Sequence, residues 1–178
     1  MTSVDLKALV RTIPDWPKPG IAFRDITTLL ADGQGFAAAI AALVEVARPL
    51  APDAIVAIDA RGFLFGAPVA VDLGIGIMPA RKGGKLPGAT IGIDYALEYG
   101  DDRLELHADA IRPGQRILIV DDLIATGGTA AATVELVRRA GGEPVAALFA
   151  IDLPALGGAD RLRLLNCPVH ALMMFDGH

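Results

Sequence analysis

Two short runs, Ala54–Ile58 (AIVAI) and Ile117–Val120 (ILIV), are apolar at every position. A strand with one wet face alternates apolar and polar side chains, whereas an unbroken run of this length suits a strand covered on both faces. The surrounding sequence supplies the cover. Phe36, Ile40, Leu43, Val44 and Ala47 recur at helical spacing, so residues 36–48 read as an amphipathic helix. A second helix is predicted from about Phe63 to Leu73, and a third from about Thr129 to Ala140, closed by Gly141-Gly142 as a C-cap. Gly76–Pro79, Val145–Ile151 and Val169–Met174 supply further strands. Strand and helix in alternation predict an α/β fold, a parallel β-sheet flanked by helices.

Two stretches break the alternation. Leu6–Ile13 reads as a short helix, stopped by Pro14, Pro17, Pro19 and Gly20. Residues 1–35 are therefore expected to lie over one edge of the sheet as a small hood. Arg81–His107 carries Gly83, Gly84, Gly88 and Gly92 and then alternates weakly from Ile91 to Leu106. It reads as a flexible loop with a β-hairpin, of the kind that closes over a site as a lid. A chain of 178 residues fits one domain, 1–178, with a core of its own.

Composition removes several classes. With 53% hydrophobic and 21% charged residues the chain is not of the disordered type. A formal net charge of −5 argues against nucleic acid as a partner, since such binding rests on clustered Lys and Arg. The N-terminus lacks the basic and apolar regions of a signal peptide, and no apolar run approaches the roughly 18 residues of a membrane span. A single cysteine, Cys167, lies in an apolar stretch and reads as a core thiol. The expectation is a cytoplasmic protein without membrane contact. His107, His170 and His178 show no ligand spacing.

The chemistry gathers after ILIV, in Asp121-Asp122-Leu123-Ile124-Ala125-Thr126-Gly127-Gly128-Thr129. Two carboxylates stand at the C-terminal end of a buried strand, the edge where open parallel sheets bind ligands. A turn with paired glycines then leads into a helix. Backbone N–H groups of such a turn, with the helix N-terminus, attract a phosphate, and glycine lets the backbone come close. Thr126 and Thr129 add hydroxyl donors. Asp121 and Asp122 would repel a phosphate but suit the hydroxyls of a neighbouring ribose. Spacing disposes of two other nucleotide loops. No G-x-x-x-x-G-K-[ST] occurs, and Gly74-Ile75-Gly76 meets Pro79 where a dinucleotide fingerprint needs its third glycine.

Val120–Thr129 resembles the phosphoribosyl-diphosphate (PRPP) motif of the type I phosphoribosyltransferases. Four more segments, Pro14–Ile26, Ala60–Gly66, Arg81–Gly88 and Leu97–Gly100, resemble the adenine-specific family of that group, in its order and spacing. The resemblance implies transfer of phosphoribose from PRPP to adenine, giving AMP and pyrophosphate, with Mg²⁺ held mainly by substrate oxygens and water, and a homodimer. It places Ala125, Thr126, Gly127, Gly128 and Thr129 on the 5′-phosphate and Asp121 and Asp122 on the ribose. Asp59, Ala60 and Arg61 correspond to the family's pyrophosphate loop, often containing a cis peptide; some members carry serine where this chain has Ala60, so a hydroxyl contact is lost. Arg81, Lys82 and Lys85 would meet the pyrophosphate charge. Glu98 corresponds to the proposed general acid/base. Phe23 and Leu123 would sandwich the adenine, with backbone groups around Ala22 and Arg24 reading its edge and Arg61 nearby. The PRPP motif itself does not report the base, leaving guanine, xanthine or a pyrimidine as alternatives, and some regulators share it. An added basic element, expected of a regulator that binds nucleic acid, is not visible in the sequence.

Overall fold

The computed structural model describes residues 4–96 and 101–177. Its frame is a seven-stranded sheet in the order β5-β6-β4-β3-β7-β8-β9. The strands are β3 (Ala54–Ile58), β4 (Gly76–Lys82), β5 (Thr90–Ala96), β6 (Asp101–His107), β7 (Arg116–Ile124), β8 (Glu143–Asp152) and β9 (Val169–Met174). β3 pairs in parallel with β4 and β7, and β7, β8 and β9 continue the parallel run. β5 and β6 are the antiparallel exception at one edge.

The unbroken apolar runs are explained by cores on both faces. Ile55, Ala57, Leu118 and Val120 face a core with Leu43 and Val44 of α2 (Gly33–Ala47) and Phe65 and Val69 of α3 (Gly62–Leu73). Val56, Ile58, Ile117 and Ile119 face the opposite core, with Val134 and Val137 of α4 (Gly128–Arg139) and Leu162 of α5 (Gly158–Leu164). Successive side chains of one strand thus point to opposite layers, and both layers are dry. Each fully buried aliphatic side chain contributes about 1.5–3 kcal/mol. Phe65 is fully covered and meets Phe36 edge-to-face at 5.8 Å. Asp32 caps α2, its carboxylate accepting from the Gly35 N–H at 2.7 Å. Among the described residues no helix is long and apolar enough to cross a membrane.

Helix α5 has no counterpart in the sequence reading, and the structure departs from that reading in two further places. Leu6–Ile13 is not a helix: only Lys7–Leu9 forms a 3-10 turn, and Arg11–Pro14 is a strand, β1, paired antiparallel with β2 (Ala22–Asp25). One short turn cannot meet the cost of helix nucleation, while Thr12 and Ile13 suit a ribbon. Pro14 is tolerated because, among the described residues, that ribbon has no third strand to need its missing N–H. Buried Asp25 fastens the ribbon by accepting the Thr27 N–H at 2.9 Å and the Arg11 Nε–H at 3.0 Å. These contacts hold its carboxyl down at about 2, the Thr27 backbone bond acting most strongly. A helix between the ribbon and α2, α1 (Thr27–Ala31), went unread. The second departure concerns β4, which runs on through Arg81 and Lys82 to pair with Glu105 and Leu104 of β6. The hairpin therefore extends the main sheet, and the loop proper begins after Lys82.

Candidate active site

The Asp121–Thr129 segment lies at the C-terminal end of β7 and the start of α4. β7 does not end at the carboxylates; it continues beside β8 to Ile124. Gly127 then takes a φ of +75°, a left-handed turn that favours glycine, and α4 begins at Gly128. The second wall comes from the end of β3. Gly62 opens α3 so close to β7 that a Cβ there would stand 2.7 Å from the Val120 carbonyl oxygen. Only glycine lets α3 start there, and the start brings Asp59-Ala60-Arg61 beside the two aspartates. The Asp59–Ala60 peptide is cis.

Arg61 is the link between the walls. Its Nε donates to Asp122 Oδ2 at 2.5 Å, and Asp122 is only 4% exposed. Burial works against the guanidinium charge, but the charge and hydrogen bond of Asp122 outweigh it and raise the Arg61 pKa. Asp121 differs sharply. Its Oδ1 accepts the Asp122 N–H at 2.8 Å, yet burial first, and then the Asp122 charge, push its carboxyl well above the usual carboxylate range. The pair thus divides into one carboxylate neutralised by Arg61 and one group inclined to hold its proton.

Between the walls lies a cavity of about 480 Å³, lined by Ile58–Arg61, Lys82, Tyr95, Asp102, Leu104 and Asp121–Ala130. Asp59, Ala60, Arg61, Lys82, Asp121, Asp122, Leu123 and Ala125–Thr129 are therefore brought together. Arg81 and Lys85 are not on its lining: the Arg81 Nε donates to Asp59 Oδ2 at 3.0 Å, and Lys85 is exposed. Ala22, Phe23 and Arg24, on β2, are not on its lining either. Phe23 meets the Trp16 ring at 4.6 Å. The Arg24 guanidinium donates to Thr12 Oγ1 at 2.6 Å and to the Asp176 carbonyl at 2.9 Å, and lies 4.7 Å from the centre of the Phe175 ring. Glu98 lies outside the described residues.

Six lining residues were given no role by the sequence, Ile58, Tyr95, Asp102, Leu104, Ile124 and Ala130, and of these Tyr95 and Asp102 are polar. The Thr129 hydroxyl donates to the Tyr95 oxygen at 3.4 Å, the Tyr95 hydroxyl to Asp102 Oδ2 at 3.3 Å, and Lys82 Nζ is 3.2 Å from that same oxygen. Burial opposes the Asp102 charge, but the Arg103 N–H and Lys82 hold its pKa below the ordinary value. The signal for Tyr95 and Asp102 was the hairpin register, which sets them directly opposite each other.

The sequence matches the phosphoribosyl transferase domain over residues 26–168. An adenine phosphoribosyltransferase of Erythrobacter litoralis is 61% identical over 178 residues, all of both chains. The chain belongs to the adenine phosphoribosyltransferase family. Its fold agrees: the adenine phosphoribosyltransferase of Thermoanaerobacter pseudethanolicus superposes with a TM-score of 0.91 at 46% identity, over 98% of this chain and 100% of that one. The adenine phosphoribosyltransferase of Saccharomyces cerevisiae, solved with an iminoaltritol bisphosphate and adenine, gives 0.89 at 39% identity, over 95% of this chain and 97% of that one. The fold is thus the type I phosphoribosyltransferase arrangement that the sequence implied. The domain match starts at Ile26, beyond β1 and β2, so it carries the cavity walls; the full-length adenine phosphoribosyltransferase relatives carry the ribbon.

Proposed function

We propose that the chain joins adenine to PRPP, forming AMP and releasing pyrophosphate in purine salvage, and that it does so in the cavity between the ends of β3 and β7. One observation carries the reading: an aspartate pair and a glycine turn opening α4 meet in one cavity, in a chain whose full-length relatives bear the adenine phosphoribosyltransferase name. The N–H groups of residues 126–129 and the α4 N-terminus receive the 5′-phosphate. Asp121 and Asp122 receive the ribose hydroxyls, and the Arg61 guanidinium is paired with Asp122. The C1′–oxygen bond to pyrophosphate breaks as the C1′–N9 bond forms, and the proton on N9 leaves to the Glu98 carboxylate. Positive charge gathers on the ribose ring while negative charge gathers on the leaving group, which Arg61 and Lys82 face. Arg81 and Lys85 lie farther out and meet it on closure of the 83–89 loop. Phe23 and Leu123 flank the base, with Ala22 and Arg24 backbone groups at its edge.

Among the described residues no group of three or more His, Cys, Asp or Glu is placed to hold a metal ion. The donors near the cavity, a carboxylate pair, fit Mg²⁺ carried in by the substrate's own oxygens and water. When bound there, Mg²⁺ supplies charge neutralisation of the departing pyrophosphate. A homodimer belongs to the same reading. Leu64 (46%) and Val71 (82%), seven residues apart on the outer face of α3, are exposed and suit contact with a second copy. So does a cytoplasmic setting for one domain with a lone buried thiol, Cys167.

The test is direct. The protein is incubated with PRPP, Mg²⁺ and each of adenine, guanine, hypoxanthine, xanthine, uracil and orotate, and nucleotide is measured. AMP from adenine, in large excess over the other products, is expected. Nucleotide from another base without AMP would overturn the adenine reading and leave the PRPP site standing.

A further inference from the structure

The turn that would grip the phosphate does not hold its shape alone. Behind it passes the connection from β8 to α5, residues 153–158, which the family motif does not include. Two backbone bonds tie the segments together: the Leu153 N–H donates to the Ile124 carbonyl and the Gly158 N–H to the Ala125 carbonyl, both at 3.0 Å. Between those bonds the backbones are in contact. A Cβ on Gly127 would stand 2.9 Å from the Gly158 Cα, and a Cβ on Gly158 would stand 2.3 Å from the Ala125 oxygen and 2.7 Å from the Gly127 nitrogen. Neither neighbour is the end of a flexible side chain, so a methyl at 158 has to move main chain by about 1 Å. The main chain it moves belongs to the segment that lines the cavity. Gly157, one residue earlier, has a φ of +73° but no atom within 4 Å of a Cβ position. It needs glycine for its conformation, whereas Gly158 needs it for the contact.

We infer that Gly158 is a positioning residue for PRPP, a backing that fixes the 125–129 turn with its N–H groups converged on the phosphate. The inference rests on the reading that this turn holds the 5′-phosphate. Displacement of a binding group by about 1 Å costs about 10-fold to 100-fold in function. Gly158→Ala therefore raises the KM for PRPP by about 10-fold or more and leaves the KM for adenine within about 2-fold. Gly157→Ala is the contrast: it lowers the melting temperature through turn strain and leaves the PRPP KM as in the parent. A folded Gly158→Ala protein with an unchanged PRPP KM overturns the inference, and so does an equal rise in Gly157→Ala.

A second measurement needs no variant. Hydrogen exchange of the unmodified protein is followed with and without ribose 5-phosphate. Slowed exchange at Gly127–Thr129 together with the Leu153 and Gly158 amides, which do not line the cavity, is expected. Slowing confined to 127–129 defeats the inference and spares the phosphate reading; no slowing at 127–129 defeats that reading first.

Discussion

The turn after β7 and the ribbon β1–β2 were both read from sequence as parts of one site, and the structure treats them oppositely. In the turn, polar groups aim into the cavity: Asp121, Asp122, Thr126 and Thr129 all line it. In the ribbon, polar side chains are already occupied with one another. Arg24 holds Thr12, the Asp176 carbonyl and the Phe175 ring, and Arg11 is bound to Asp25. One region sets its polar groups on a cavity wall, some of them already bonded to Arg61 and Tyr95, and the other turns them to its own neighbours, with the buried Arg24 Nε left without a partner. The lesson is that residue type alone does not assign a role; what matters is whether a group faces a cavity.

The comparison can be broken by substitution. The largest effect is expected for Asp122→Ala, which leaves Arg61 without its partner and the ribose without an acceptor. Turnover should fall by about 100-fold or more in steady-state assays; a loss under about 3-fold would remove Asp122 from the site. Arg24→Ala comes next. If the side chain acts within the hood, the protein loses about 1–3 kcal/mol in denaturant unfolding and the PRPP KM stays constant. A changed PRPP KM at unchanged stability would place Arg24 in the cavity after all.

Asp121 sharpens the contrast through pH. Its folded pKa is raised, so its contribution to stability is greatest below about pH 4 and declines as pH rises toward the folded value. Asp121→Asn removes that decline. The free variant should melt higher than the parent at pH 7, by a margin that vanishes near pH 4, while binding PRPP about 10-fold more weakly. A lower melting temperature at pH 7 would contradict the burial argument. The smallest effect belongs to Asp25, whose depressed pKa has the opposite sign. Its contribution is complete above about pH 4 and is lost as pH falls toward about 2. Asp25→Asn should melt below the parent at pH 7, and the two should converge by about pH 2. A constant gap would show that charge is not what Asp25 supplies.

How much was legible in advance follows from the range of the interactions. ILIV and AIVAI announced a sheet buried on both faces because each run carries its own environment in its side chains. The turn Ala125–Thr129 was legible because a few consecutive residues build it. Asp122 was legible from its place after ILIV and Arg61 only through the resemblance, while their pairing across 61 residues was legible through neither, since no local pattern connects them. Tyr95 and Asp102 required the β5–β6 register, which only the pairing of the two strands reveals. The ribbon was misread as a helix because Leu6–Ile13 is too short for periodicity to decide, and its partner strand lies beyond three prolines.

The central claim is that the turn after β7 holds the phosphoribose and the hood side holds the base. A crystal structure with AMP bound tests both halves at once. The account predicts the phosphate within hydrogen-bond reach of the N–H groups of residues 126–129, the ribose hydroxyls on Asp121 and Asp122, and the adenine ring directed toward Phe23. A phosphate seated elsewhere, with the 126–129 amides untouched, would contradict it.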